Sequence, residues 1–105
     1  MTMHIRVQII RWISDDFPGY AECRFADRFD REWTIIEKAP VLTVAHLAPD
    51  SEFPQPGLVA CEIIARHQDD AGREIADVTT SIPWGTKATD GTTSFQLYTE
   101  QLRSE

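Results

Sequence analysis

The chain has 105 residues, of which 42% are hydrophobic and 10% aromatic, which is ordinary for a globular protein and too apolar for a disordered one. Its formal net charge is -7, and this acidity argues against nucleic acid or an anionic membrane surface as a partner. We expect one domain over residues 1–105, with enough core to fold without metal or disulfide support.

Two further features of the sequence predict the cellular location of the protein and the redox state of its cysteines. The segment from Met1 to Arg6 has no apolar stretch typical of a secretion signal, and no run approaches a membrane span, so we expect a cytoplasmic protein. Cys23 and Cys61 each lie among alternating apolar residues. We therefore expect both thiols to be free and buried.

The first predicted strand, about Met3 to Ser14, contains one break in its alternation. Ile9 and Ile10 are both apolar, and Trp12 continues in the new phase. A two-residue period changes phase only where an extra residue is inserted, so the sequence predicts a β-bulge or sharp coil near Ile9 and Ile10.

Two more strands follow, each after a turn rich in aspartate. Residues 15–19 contain proline and glycine and predict a reversal, after which a half-buried strand runs from about Tyr20 to Ala26. The polar connection 27–31 then leads to a third strand, about Glu32 to Lys38.

The longest irregular stretch is predicted from Ala39 to Gly57. Val41 to Leu47 suits either a short strand or one helical turn, and three prolines in the second half oppose both helix and interior strand. A connection of this length is usually functional or mobile, and the prolines favour a stiff one.

The strongest pattern in the sequence is a long β-hairpin from Leu58 to Pro83. Alternating apolar residues form its first arm, β-branched residues enrich its second, and the turn 69–73 has two aspartates and a glycine. A last strand is predicted at about Thr93 to Tyr98, and Thr99 to Glu105 as a helical turn or a frayed end.

These elements predict an all-β protein with little helix. About six short strands with turns between them indicate a small antiparallel, partly closed β-barrel of the size of SH3 or OB domains. Its fold alone does not specify a function.

Alternating strand directions suggest where a binding site lies. The turns after the first, third and fifth strands then emerge at one end, and each carries an aromatic residue beside a proline: Phe17, Phe53 and Trp84. Rigid aromatic residues on stiff loops suit recognition of a partner. The alternative is that the three rings simply close the core.

Catalytic and metal chemistry have few candidates. His46, with Asp50 and Glu52 in the same predicted loop, is the candidate for a base held by a carboxylate. A barrel mouth near His46, Trp84 and Tyr98 is the place for a small ligand or an enzyme site. The cysteines and histidines are scattered singly, and no glycine-rich phosphate loop is present, so we expect no metal and no cofactor.

The function favoured by the sequence is a non-catalytic protein-binding module acting through the aromatic, proline-rich end. One alternative is an inhibitor or immunity-type protein that neutralises a basic enzyme through its acidity. A second is a small-ligand barrel or enzyme, and a homodimer along an edge strand is a further possibility.

Overall fold

Seven antiparallel strands form a single curled sheet, a half-barrel, in the computed structural model, which describes residues 2–104. The strands are β1 (Thr2–Ser14), β2 (Tyr20–Ala26), β3 (Glu32–Lys38), β4 (Gln55–Gln68), β5 (Glu74–Thr79), β6 (Ser94–Tyr98) and β7 (Leu102–Ser104). Helix is limited to α1 (Ala39–Leu42) and a 3-10 turn at Thr99–Gln101. The predicted all-β, partly closed architecture with little helix is confirmed.

The strand order is β3-β2-β1-β4-β5-β6, and β1 pairs with three strands, β2, β4 and β7. One edge of β1 pairs with β4 from Thr2 to Ile9. Its other edge pairs with β7 near its start and with β2 from Gln8 onward. The hairpin predicted from Leu58 to Pro83 is confirmed as β4 and β5 with its turn over residues 69–73, but its second arm ends at Thr79.

The predicted bulge in β1 is confirmed. The register passes from Ile9 opposite Cys23 to Arg11 opposite Glu22, so Ile10 is the inserted residue. The insertion returns Trp12 to the core side, where it packs against the core while half buried. One long strand can therefore serve two parts of the curled sheet.

Two predicted boundaries were wrong. The stretch 39–57 was expected to be irregular, with a short strand or one helical turn at Val41 to Leu47, but the helical turn lies at Ala39–Leu42 and β4 already begins at Gln55. Pro56 fits a strand here because it pairs with β1 on one side, while β5 joins the other side of β4 only from Glu62. Pro40 fits α1 because proline is favoured in the first helical turn.

The end of the chain adds a strand that the sequence analysis missed. Residues 99–101 form the expected helical turn, but Leu102–Ser104 then pairs with Met3–Ile5 of β1. Three residues are too few to show a two-residue period, so the pattern could not reveal β7. The predicted end at Glu105 lies outside the described residues.

The core lies inside the curl of the sheet. Ile5, Ile9, Val59, Ile35 and Leu97 are fully buried there, together with Cys23 and Cys61, whose thiols are free and buried as predicted. Leu42 and Leu47 from the 39–54 segment are buried in the same core. On the open side of the curl, Phe95 of β6 packs edge-to-face against Phe25 and Trp33, with ring centroids 5.1 and 5.0 Å apart.

Candidate functional site

Three connections lie at the same end of the sheet because β1, β3 and β5, which they follow, run in the same direction. They are the turn 15–19, the segment 39–54 and the loop 80–93. The backbone N–H of Ala39 donates a hydrogen bond to the carbonyl oxygen of Gly19 at 2.8 Å, which joins the turn to the start of α1. Trp84 of the loop lines the same groove as Pro40–Val44.

The three aromatic residues predicted at this end differ in their burial. Phe17 is 96% exposed and Trp84 is 68% exposed, whereas Phe53 is half buried and packs against the core. The peptide bonds Phe17–Pro18, Phe53–Pro54 and Ile82–Pro83 are cis. Two of the three rings therefore present their faces to solvent, and the third covers the core.

The other two predicted binding residues, His46 and Tyr98, do not line the groove with Trp84. His46 is exposed on the 39–54 segment, and it does not line the groove that Trp84 lines. Tyr98 ends β6, which runs opposite to β5, and the Arg73 guanidinium lies over its ring at 3.4 Å from the centroid. Tyr98 thus belongs to the end of the sheet that carries the turn 69–73.

A groove with a volume of about 690 Å³ runs along the sheet beside Trp84. We call it the β1 groove. Its residues come from β1, β2 and β7, from α1 and the residues after it, from the start of β4, from the 80–93 loop and from the turn at Thr99–Gln101. Those used below are His4, Arg6, Arg24, Val44, Trp84 and Arg103.

The polar side of the β1 groove follows from alternation along β1. Ile5, Val7 and Ile9 face the core, so His4 and Arg6 face the opposite side. His4 pairs with Arg103 of β7, and Gln8 pairs with Arg24 of β2, and residues directly opposite in a ladder share one face. Four cationic or titratable side chains from three strands therefore share this face: His4, Arg6, Arg24 and Arg103.

The β1 groove differs in charge from the rest of the protein. Its lining includes three arginines and a histidine but no Asp or Glu among residues 2–104. The whole chain, in contrast, has 17 acidic and 10 basic residues. A positively charged groove in an acidic protein favours a ligand that carries negative charge.

Two of the groove arginines are not neutralised within the part of the chain that the structure describes. Arg6 and Arg103 form no ion pair or side-chain hydrogen bond with residues 2–104, and both are exposed. Arg24 contacts Glu22 at 2.9 Å and Glu32 at 3.3 Å. The positive charge available to a ligand is therefore concentrated at Arg6 and Arg103.

Glu22 is a buried carboxylate beside the groove. Arg11 Nε donates a hydrogen bond to its Oε1 at 2.9 Å, and Arg24 contacts its Oε2. Burial alone would raise the pKa of Glu22, but the hydrogen bonds and positive charges of Arg11 and Arg24 outweigh it and hold the pKa below its ordinary value. Glu22 thus stays ionised and fixes Arg24 in place.

The rim of the β1 groove is apolar. Val44 is fully exposed, and Trp84 and Pro40 are exposed as well. Half-buried Val41 and Leu58 continue the apolar surface between them and the arginines. This combination of aliphatic and aromatic surface with cations fits a ligand that has both apolar and anionic groups.

The thiols offer no nucleophile at neutral pH. Burial, reinforced by Glu22 and Glu37, raises the pKa of Cys23 to about 12. Burial and the charge of Glu62 likewise raise the pKa of Cys61 to about 12. Because the thiolate is the reactive form, both side chains act as small core residues.

Neither a cluster of metal ligands nor a membrane-spanning helix is present among residues 2–104. No group of three or more His, Cys, Asp or Glu side chains in this range is placed to hold a metal ion. No helix in this range is long and apolar enough to cross a membrane.

Comparison of the chain with protein-family models, curated proteins and solved structures gives no match.

Trp84 was predicted from the sequence as a binding residue, whereas the β1 groove beside it was not predicted. The available signal was the alternation of His4, Arg6 and Gln8 with core residues along β1. That pattern predicts an outward face, yet it does not show that β2 and β7 bring Arg24 and Arg103 to the same face.

Proposed function

We propose that this protein is a non-catalytic protein-binding module, and that its binding surface is the β1 groove with the exposed residues around it. The observation that carries the proposal is that Trp84 and Val44 stay exposed on the rim of a groove. A folding chain normally removes such groups from water, so a cluster of them marks a surface that a partner covers.

The shape of the site favours an extended protein segment. The groove is open and combines a tryptophan with aliphatic side chains, and tryptophan is enriched among residues that dominate binding energy. Phe17 extends the same end, because its turn is hydrogen-bonded to the start of α1. The immunity-type alternative would require a surface that attracts a basic enzyme, and the groove carries the opposite charge.

We also propose a cytoplasmic location. Its support is that Cys23 and Cys61 are both free, as expected in a reducing compartment.

The test is selection of binding peptides from a random phage-displayed library, followed by affinity measurements with two matched variants. Trp84→Ala should weaken the selected peptides at least about tenfold, the effect expected of a central aromatic residue. Phe29→Ala is the control: Phe29 is 62% exposed, similar to Trp84, but it lies in the turn 27–31 at the other end. Both variants should melt close to the wild type, because exposed side chains contribute little to stability.

Failure to select any peptide would contradict the proposal. Equal weakening by Trp84→Ala and Phe29→Ala would contradict the placement of the site. Enrichment of peptides that bind both variants as tightly as the wild type would do the same.

A further inference from the structure

We infer that the ligand of the β1 groove is an acidic, extended peptide segment, whose carboxylates contact Arg6 and Arg103 while its aliphatic side chains lie against Val44 and Trp84. This inference rests on the proposed function and specifies the chemistry of the partner. It is the reverse of what the net charge of -7 suggests, since an acidic protein is expected to attract basic partners.

The first support is the distribution of arginine pairing. Among residues 2–104, five arginines contact a carboxylate: Arg11, Arg24, Arg31, Arg66 and Arg73. Arg28 donates to the side-chain oxygen of Gln96 at 2.9 Å and lies over the Phe29 ring. Within the described part of the chain, Arg6 and Arg103 have no such partner, although the sequence has more acidic than basic residues.

The second support is the position of these two arginines. Arg103 lies opposite His4 in the β1–β7 ladder, and Arg6 is two residues farther along β1 on the same face. Diagonal neighbours of this kind are about 7–8 Å apart, a spacing that long side chains bridge. Successive same-side residues of an extended peptide are separated by about 7 Å, so two of its carboxylates match the two guanidinium groups.

The third observation favours an acidic peptide over a nucleic acid, although both ligands are anionic. The apolar rim is mainly aliphatic, with Val41, Val44 and Leu58 beside one indole ring, whereas single-stranded nucleic acid is held on a series of aromatic faces. A densely charged polyanion is also repelled by the rest of a protein of net charge -7, while a peptide with a few carboxylates experiences much less of this repulsion.

The experiment uses fluorescence anisotropy with the whole chain and three labelled probes. The acidic probe is the nonapeptide Ser-Asp-Glu-Asp-Leu-Asp-Val-Glu-Ser, the neutral probe has Asn and Gln in place of its acids, and the third is a deoxythymidine dodecamer. We expect the wild type to bind the acidic probe at least about tenfold more tightly than the neutral one, as charge-assisted hydrogen bonds to two guanidiniums imply.

Arg6→Gln and Arg103→Gln should each weaken the acidic probe about tenfold. The matched control is Arg66→Gln, which makes the same charge change at an arginine already paired with Glu74 at 3.4 Å. It should leave the affinity nearly unchanged. Affinity of the wild type should also fall as salt rises from 50 to 500 mM, an arm that needs no variant.

Each contrary result has a separate meaning. Equal binding of the neutral probe, or equal weakening by Arg66→Gln, overturns the acidic ligand. Tighter, Arg6-dependent binding of the dodecamer overturns it in favour of nucleic acid. If library peptides depend on Trp84 but lack acids and ignore Arg6 and Arg103, the inference fails and the proposed function stands. If no peptide depends on Trp84, the proposed function itself fails.

Discussion

Among residues 2–104, surface aromatic rings at one end of the sheet have a guanidinium over one face, whereas those at the other end have none. We call these the covered end and the bare end. At the end with the turns 27–31 and 69–73, three rings each have a guanidinium over one face: Arg28 on Phe29 at 4.1 Å, Arg31 on Trp33 at 4.1 Å and Arg73 on Tyr98 at 3.4 Å. Within residues 2–104, no such cation covers Phe17 or Trp84. Arg6 and Arg103, which line the groove with Trp84, have no ion-pair partner among the described residues.

This difference shows where the protein satisfies its own surface groups. A ring under a guanidinium is partly removed from water, and the cation gains an attractive contact in return. In the β1 groove, Trp84 lines the same cavity as Arg6 and Arg103, and within residues 2–104 no guanidinium lies over the Trp84 ring. The three rings of the covered end are therefore partly satisfied within the described residues, whereas the β1 groove has apolar and cationic groups that a second molecule can satisfy.

The largest expected effect tests whether the bare end is held in a fixed conformation. Gly19 has φ +94°, and a Cβ there would collide with the Trp12 ring. The Trp12 indole in turn donates a hydrogen bond to Asp15 at 2.8 Å. Gly19→Ala should therefore lower the free energy of unfolding by about 2–4 kcal/mol, through backbone strain and overpacking together, measured by urea denaturation.

Gly72 of the covered end supplies the control. It also has positive φ, at +82°, but open space surrounds its Cβ position. Gly72→Ala should cost only about 1–2 kcal/mol, the strain of the backbone alone. Equal losses in the two variants would show that the Trp12 contact does not fix the turn that carries Phe17.

A smaller effect should separate two rings of the bare end that look alike in the sequence. Phe53 packs against the core while half buried, whereas Phe17 is almost wholly exposed. Phe53→Ala should destabilise the protein by about 1–3 kcal/mol, and Phe17→Ala by less than about 0.5 kcal/mol. Thermal unfolding of both variants measures this difference, and similar melting temperatures would mean that Phe53 is not part of the core.

The same pair shows the limit of prediction from the sequence. Strands β2 and β3, the bulge at Ile10 and the β4–β5 hairpin were predictable because alternation and turn residues are local signals. Both Phe17 and Phe53 precede a proline in a loop, and nothing local distinguishes them. Their burial depends on how the 39–54 segment closes over the core, which is set by contacts distant in sequence.

The β1 groove was hidden for a related reason. The alternation of β1 predicts that Arg6 faces outward, but pairing with β7 decides that Arg103 lies near it. Which arginines lack a carboxylate partner also depends on the register of every strand. The sequence therefore predicts the sheet well and the charge of its individual surfaces poorly.

The smallest expected effect concerns Glu22, the buried carboxylate that is paired with Arg24, and it depends on pH. The pKa of Glu22 is held below its ordinary value of about 4.5, so its ionised form stabilises the folded state. This contribution is present above pH 4.5 and is lost as the pH falls through the lowered pKa of the folded protein. Glu22→Gln lacks the contribution, so its melting temperature should lie below that of the wild type at pH 6 and approach it at pH 3.

Glu32→Gln is the control, because it removes the other, exposed carboxylate that contacts Arg24. It should change the melting-temperature difference between pH 6 and pH 3 much less, because exposed ion pairs are weak. A Glu22→Gln deficit that persists unchanged at pH 3 would show that packing of the side chain, and not its charge, supports this face of the sheet.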